Sequence, residues 1–115
     1  LLVEDEILIR IVTADVLRDA GHVVVEASNG EEAVALLSAG LKIDLVVSDV
    51  RMPGTIDGLQ LAAFVREHFP ALPVLLATSH WPGQDTPPLD LLLKPYSSDE
   101  LLAAIARAAD RESDA

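Results

Sequence analysis

Five short runs of consecutive apolar residues punctuate this chain, and they constrain its fold more than any other feature. They are Leu1-Leu2-Val3, Val23-Val24-Val25 at the centre of a stretch from His22 to Ala27, Leu45-Val46-Val47, Val74-Leu75-Leu76-Ala77 and Leu91-Leu92-Leu93. A strand with one wet face alternates apolar and polar residues, whereas a strand apolar on consecutive residues must be covered on both sides. Each run is too short for a helix, and a longer stretch separates it from the next.

Most of those longer stretches have helical spacing. Ile9, Val12, Val16, Leu17 and Ala20 recur as an amphipathic helix would place them, and Gly21 stands where that helix ends. Asn29 precedes Glu32 by three residues, a cap signature that opens a helix from Glu31 to Ala39, closed by Gly40. A third helix is expected from about Leu59 to Phe69, stopped by Pro70. Ser97 precedes Glu100 by three ahead of Leu101, Leu102, Ile105, Ala108 and Ala109, which fall on one face of a last helix. One connection differs: between Thr78 and Lys94, Pro82, Gly83, Pro87 and Pro88 leave room for no more than a short helical turn. The alternation predicts an α/β domain, a three-layer sandwich in which helices cover both faces of a five-stranded parallel sheet.

Composition removes several function classes. The 115 residues, 50% of them apolar, make one domain of ordinary size with a real core. The first run opens at residue 1, so the first strand is expected to begin before the sequence does. Without cysteine there is no disulfide, thiol chemistry or thiolate-held zinc, and a reducing cytoplasm is compatible with the chain. Eight basic against 19 acidic residues give a formal charge of -11, which repels nucleic acid and anionic membrane surfaces alike. No apolar stretch approaches the roughly 20 residues of a membrane span.

The ends of the apolar runs carry the chemistry. The first run ends in Glu4-Asp5, the third in Asp49, the fourth in Thr78 and the fifth in Lys94. In a parallel sheet all these ends share one edge, and the carboxyl edge is where open α/β sheets bind ligands. Residues 4, 5, 49, 78 and 94 are therefore expected to converge. Three carboxylates brought together raise one another's pKa unless a cation sits among them, and a few carboxylates without a dedicated cage suit magnesium. A lysine and a hydroxyl opposite suit a phosphoryl oxygen.

These residues resemble the response-regulator receiver domain of two-component signalling. The stretches "LLVEDE", "VVSDVRMPG", "TIDG", "LLATS" and "LLLKPY" follow the family's order over essentially the whole chain. The resemblance implies a flavodoxin-like receiver fold whose fourth helix is shortened or missing. It implies that Asp49 is the phosphoacceptor, taking a phosphoryl group from a histidine kinase or phosphotransfer protein. Asp5 and Asp49 would be direct ligands of Mg2+ (or Mn2+), together with the backbone carbonyl of Arg51, and Glu4 would act through water. Thr78 matches the switch hydroxyl and Lys94, before Pro95, the phosphate-binding lysine. Output would pass through a downstream protein partner in the cytoplasm, without direct contact to nucleic acid or membrane; the oligomeric state is left open. The domain would assist its own phosphorylation and dephosphorylation without being an enzyme acting on other substrates. Leu91 stands where the family usually carries an aromatic switch residue, Trp81 lies near the switch loop, and Thr55-Ile56 make the turn after Pro53 one residue longer than the common "MPxxDG" form.

Each residue also has a plainer reading. Asp49 could be a turn residue, Glu4-Asp5 could cap the first helix, Thr78 could close a strand and Lys94 could be a solvated edge lysine. Glu31-Glu32 and Asp99-Glu100 read as helix-start charges. The conjunction of five suitable residue types at strand ends outweighs these. An aspartyl phosphohydrolase would want a second acid where Arg51 stands, and nucleotide binding would want a glycine-rich loop after the first strand. The main alternative is a receiver-like module that binds protein without needing phosphate.

Overall fold

The computed structural model describes residues 1–79 and 90–113. Along them run β1 (Leu2–Val3), α1 (Ile7–Asp19), β2 (Glu26–Ala27), α2 (Gly30–Ser38), β3 (Val46–Asp49), α3 (Gly58–His68), β4 (Val74–Thr78), β5 (Asp90–Leu93) and α4 (Ser98–Ser113). The strands form one sheet in the order β2-β1-β3-β4-β5, every pairing parallel. This is the expected fold class. The expectation of a reduced fourth helix, and the setting of Trp81, lie outside the described residues.

Two cores explain the consecutive apolar runs. Alternate strand residues point to opposite faces. Val3, Val46 and Leu76 pack with Leu37, Leu61 and Val65 beneath α2 and α3. Leu2, Val47, Leu75 and Leu92 pack with Ala14, Leu17, Leu101, Ala104 and Ile105 beneath α1 and α4. Complete burial of each such Leu or Val stabilises the fold by about 1.5–3 kcal/mol relative to leaving it in water. Leu91 points into the first of these cores, an aliphatic packed against it.

Helix starts are fixed by side chains. Asn29 Oδ1 accepts from the Glu32 N–H at 2.8 Å, and Glu32 returns to accept from Ser28. Those bonds hold the Glu32 carboxyl below its usual range. Ser97 and Glu100 exchange bonds of 3.1 Å ahead of α4. α3 opens one residue earlier than its apolar spacing indicated, because Asp57 and Gln60 form a capping box with two bonds of 2.9 Å. Gly58 then lies so close to β3 that a Cβ there would meet the Asp49 carbonyl oxygen at 2.0 Å. Only glycine lets α3 begin directly against the strand end.

Two sequence expectations need correction. The second strand does not centre on Val23-Val24-Val25: Val23 is 95% exposed, and the ladder comprises Glu26 and Ala27 opposite Leu2 and Val3. β2 is an edge strand pairing with a two-residue β1, and Val25 contributes only its carbonyl, which accepts from Leu2 N–H at 2.9 Å. Of the stripe through Ile9, Val12, Val16, Leu17 and Ala20, only Leu17 lies on the buried face of α1. Thr13, Ala14 and Leu17 are buried, whereas Ile7, Leu8 and Val12 are exposed. Apolar residues surround much of this helix, so spacing could not select a face.

Candidate functional site at the carboxyl edge of the sheet

β1, β3, β4 and β5 deliver their final residues to one edge. Register fixes the arrangement: Val3 lies opposite Ser48, Asp49 opposite Ala77, and Thr78 opposite Leu93. Glu4 and Asp5 therefore follow β1 beside Asp49, and Lys94 follows β5 beside Thr78. The backbone ladder extends one step past the strands, since Val50 N–H donates to Ala77 O at 3.0 Å and Lys94 N–H to Thr78 O at 2.8 Å.

Side chains close the group. Glu4, Asp5 and Asp49 each offer a carboxylate oxygen within 4.8 Å of the others; Glu4 and Asp49 are buried and Asp5 is exposed. Lys94 Nζ donates to Asp49 Oδ1 at 2.7 Å and lies 3.7 Å from Glu4 Oε2. Thr78 is buried at the end of β4. All five sequence-predicted side chains thus reach the same edge, and Arg51 follows in the loop after β3.

Acidic side chains crowd one another within the group. Burial, then a hydrogen bond to Asp49, pushes the Glu4 carboxyl up to about 8, against partial relief from the Glu6 N–H and from Lys94. The Glu4 side chain hydrogen-bonds to that of Asp49. Burial would lower the Lys94 ammonium, but its contact with Asp49 and the nearby Glu4 together raise it. One lysine faces three acidic side chains. A divalent ion with hard oxygen ligands fits this donor set, and the exposed Asp5 side leaves access for the waters that magnesium retains.

Three supporting residues were not found from sequence. Arg10 reaches back from α1 to donate to Glu4 O at 2.9 Å while its Nε pairs with Glu26 Oε1 at 3.4 Å. Tyr96, half-buried beside Lys94, has its phenol pushed up by burial despite the adjacent ammonium. Glu31 accepts from Ile56 N–H at 2.7 Å, across 25 residues, rather than serving only as a helix-start charge. Nothing in the local spacing marks Arg10 or Glu31, because both contacts depend on the tertiary fold. Glu4 Oε1 also accepts from the Glu6 N–H at 3.1 Å, just before α1.

Known proteins with this arrangement identify the family. The model of the response regulator receiver domain matches residues 1–106. The chain belongs to the response regulator receiver family. It is 38% identical to the response regulator protein FleR of Pseudomonas aeruginosa over 95% of this chain and 24% of FleR. With the transcriptional regulatory protein PdtaR of Mycobacterium tuberculosis it shares 38% identity over 96% of this chain and 56% of that protein. The chain therefore spans between about a quarter and about half of these relatives. Among solved structures, a receiver protein from Sinorhizobium medicae superposes with a TM-score of 0.86 at 30% identity, covering 96% of this chain and 93% of that one. The receiver domain of the hybrid histidine kinase CckA gives 0.80 at 35% identity, covering 94% and 95%. As a receiver this chain is a signalling domain. No helix among the described residues is long and apolar enough to cross a membrane.

Proposed function

We propose that Asp49 accepts a phosphoryl group from a phosphohistidine of a histidine kinase or phosphotransfer protein, and that residues 1–115 act as a single cytoplasmic receiver domain. The observation that carries this reading is the 2.7 Å contact between Lys94 Nζ and Asp49 Oδ1 at a buried strand end crowded by Glu4 and Asp5. An Asp49 oxygen attacks phosphorus, the bond from phosphorus to the histidine nitrogen breaks, and the imidazole leaves with that electron pair. A carboxylate is a weak nucleophile and the incoming group is anionic, so positioning and charge neutralisation do most of the catalysis.

Each neighbour has a part in this reading. Asp5, Asp49 and the carbonyl of Arg51 would hold Mg2+ or Mn2+ directly, with Glu4 acting through water, and the ion would supply neutralisation of charge on the phosphoryl oxygens. Lys94 pairs with a phosphoryl oxygen in place of the carboxylate it now contacts, and the Thr78 hydroxyl donates to another. Drawing Thr78 and Lys94 toward the new anion alters the surface around β4 and β5, which a downstream protein partner reads. Water then hydrolyses the acyl phosphate.

Intact-mass spectrometry after incubation with acetyl phosphate tests the reading. One magnesium-dependent phosphoryl adduct is expected, absent from Asp49→Asn. If no adduct forms with acetyl phosphate or with a phosphohistidine donor, Asp49 is not an acceptor.

A further inference from the structure

The loop from Val50 to Asp57 carries Arg51 out of β3 and back to α3, and its two ends are secured. Val50 N–H donates to Ala77 O at 3.0 Å, and Gly58 N–H closes the loop onto Val50 O at 2.8 Å. Met52 is buried in the core, but Arg51, Pro53, Gly54 and Thr55 are exposed. Among the described residues, the hydrogen bonds that tie the outer part of this loop to the rest of the fold come from one side chain. Glu31 Oε1, in the first turn of α2, accepts from Ile56 N–H at 2.7 Å and lies 3.4 Å from Thr55 Oγ1.

The backbone is shaped around that carboxylate. Gly54 has φ +101°, and a Cβ there would meet Glu31 Oε2 at 2.6 Å, so any side chain at this position would displace the glutamate. A Cβ on Gly30 would meet the Ile56 carbonyl oxygen at 2.4 Å, so the start of α2 and the loop touch backbone to backbone. A glutamate serving only the helix dipole would not bring its carboxylate against Gly54. Its neighbour Glu32 shows the contrast, turning back to Ser28.

We infer that Glu31 is a positioning residue for the metal site: it straps the loop after β3 to α2 and so holds the Arg51 carbonyl toward Asp5 and Asp49. The inference rests on the proposed magnesium site. A loop left free there would have to be ordered at each binding event, and outer supports of this kind commonly set metal affinity.

Isothermal titration with magnesium, using the unmodified protein, Glu31→Ala and Glu31→Gln, tests this alongside amide exchange at Ile56. Glu31→Ala is expected to speed Ile56 exchange and weaken magnesium binding about tenfold. Glu31→Gln keeps an acceptor oxygen and is expected to restore both. If Glu31→Ala binds magnesium as tightly as the unmodified protein, or Glu31→Gln loses as much as Glu31→Ala, the strap does not position the site. An unmodified protein without magnesium affinity would overturn the metal site itself, and the inference with it.

Discussion

Glu4 is the residue whose state most depends on what joins it. Its folded pKa of about 8 lies above the ordinary 4.5. Without metal, the folded form therefore holds a proton that the unfolded form releases between those values. The resulting stability is fully present below about pH 4.5 and is lost as pH rises through about 8, on the order of 1 kcal/mol per pH unit within the window. Urea unfolding in chelator should show this decline, and Glu4→Gln should flatten it. Magnesium favours ionised Glu4, so its affinity should rise with pH across the same range. A decline that persists unchanged in Glu4→Gln would place the titration elsewhere. The types at the site were legible in the sequence because each ends an apolar run. Arg10 and Glu31 were not, because a charged residue on a helix has no local mark of the backbone it meets across the fold.

At the scale of elements, burial and close approach decide what each helix tolerates. Leu8 and Val12 of α1 are 71% and 63% exposed, whereas Leu17 is buried. Leu8→Ser and Val12→Ser should each change unfolding stability by less than about 0.5 kcal/mol. Leu17→Ala should cost about 2–5 kcal/mol. A large loss in Leu8→Ser would mean that α1 packs by its other face. Gly58→Ala puts a methyl group into the Asp49 backbone and should cost about 1–3 kcal/mol, with slower phosphorylation because the acceptor strand end moves. Normal stability in that variant would contradict the contact between α3 and β3. Consecutive apolar residues disclosed the strands at the centre of the sheet, β3 and β4, where both faces are covered. The same signal misplaced β2, since an edge strand pairs over few residues and Val23 is left in water. On α1 the apolar residues run around the cylinder, so their spacing announced a helix without saying which side meets the sheet.

For the molecule as a whole, a formal net charge of -11 opposes compaction, and Glu4, Asp5 and Asp49 bring three acidic residues to one edge. Magnesium at a hundredfold excess over its Kd should stabilise the fold by about 2.7 kcal/mol, beyond sodium chloride of matched ionic strength. Asp5→Asn should retain the salt effect and lose most of the magnesium-specific part. Equal stabilisation by the two salts would mean general screening without a bound ion. Phosphoryl transfer has one expected site, Asp49. Borohydride reduces an aspartyl phosphate to homoserine, so the most direct measurement is peptide sequencing by mass spectrometry after phosphorylation and reduction. Homoserine at position 49 and at no other aspartate is the predicted result. Homoserine at Asp5 or any other aspartate, or an unmodified Asp49 in protein shown to carry the phosphoryl group, would contradict the account.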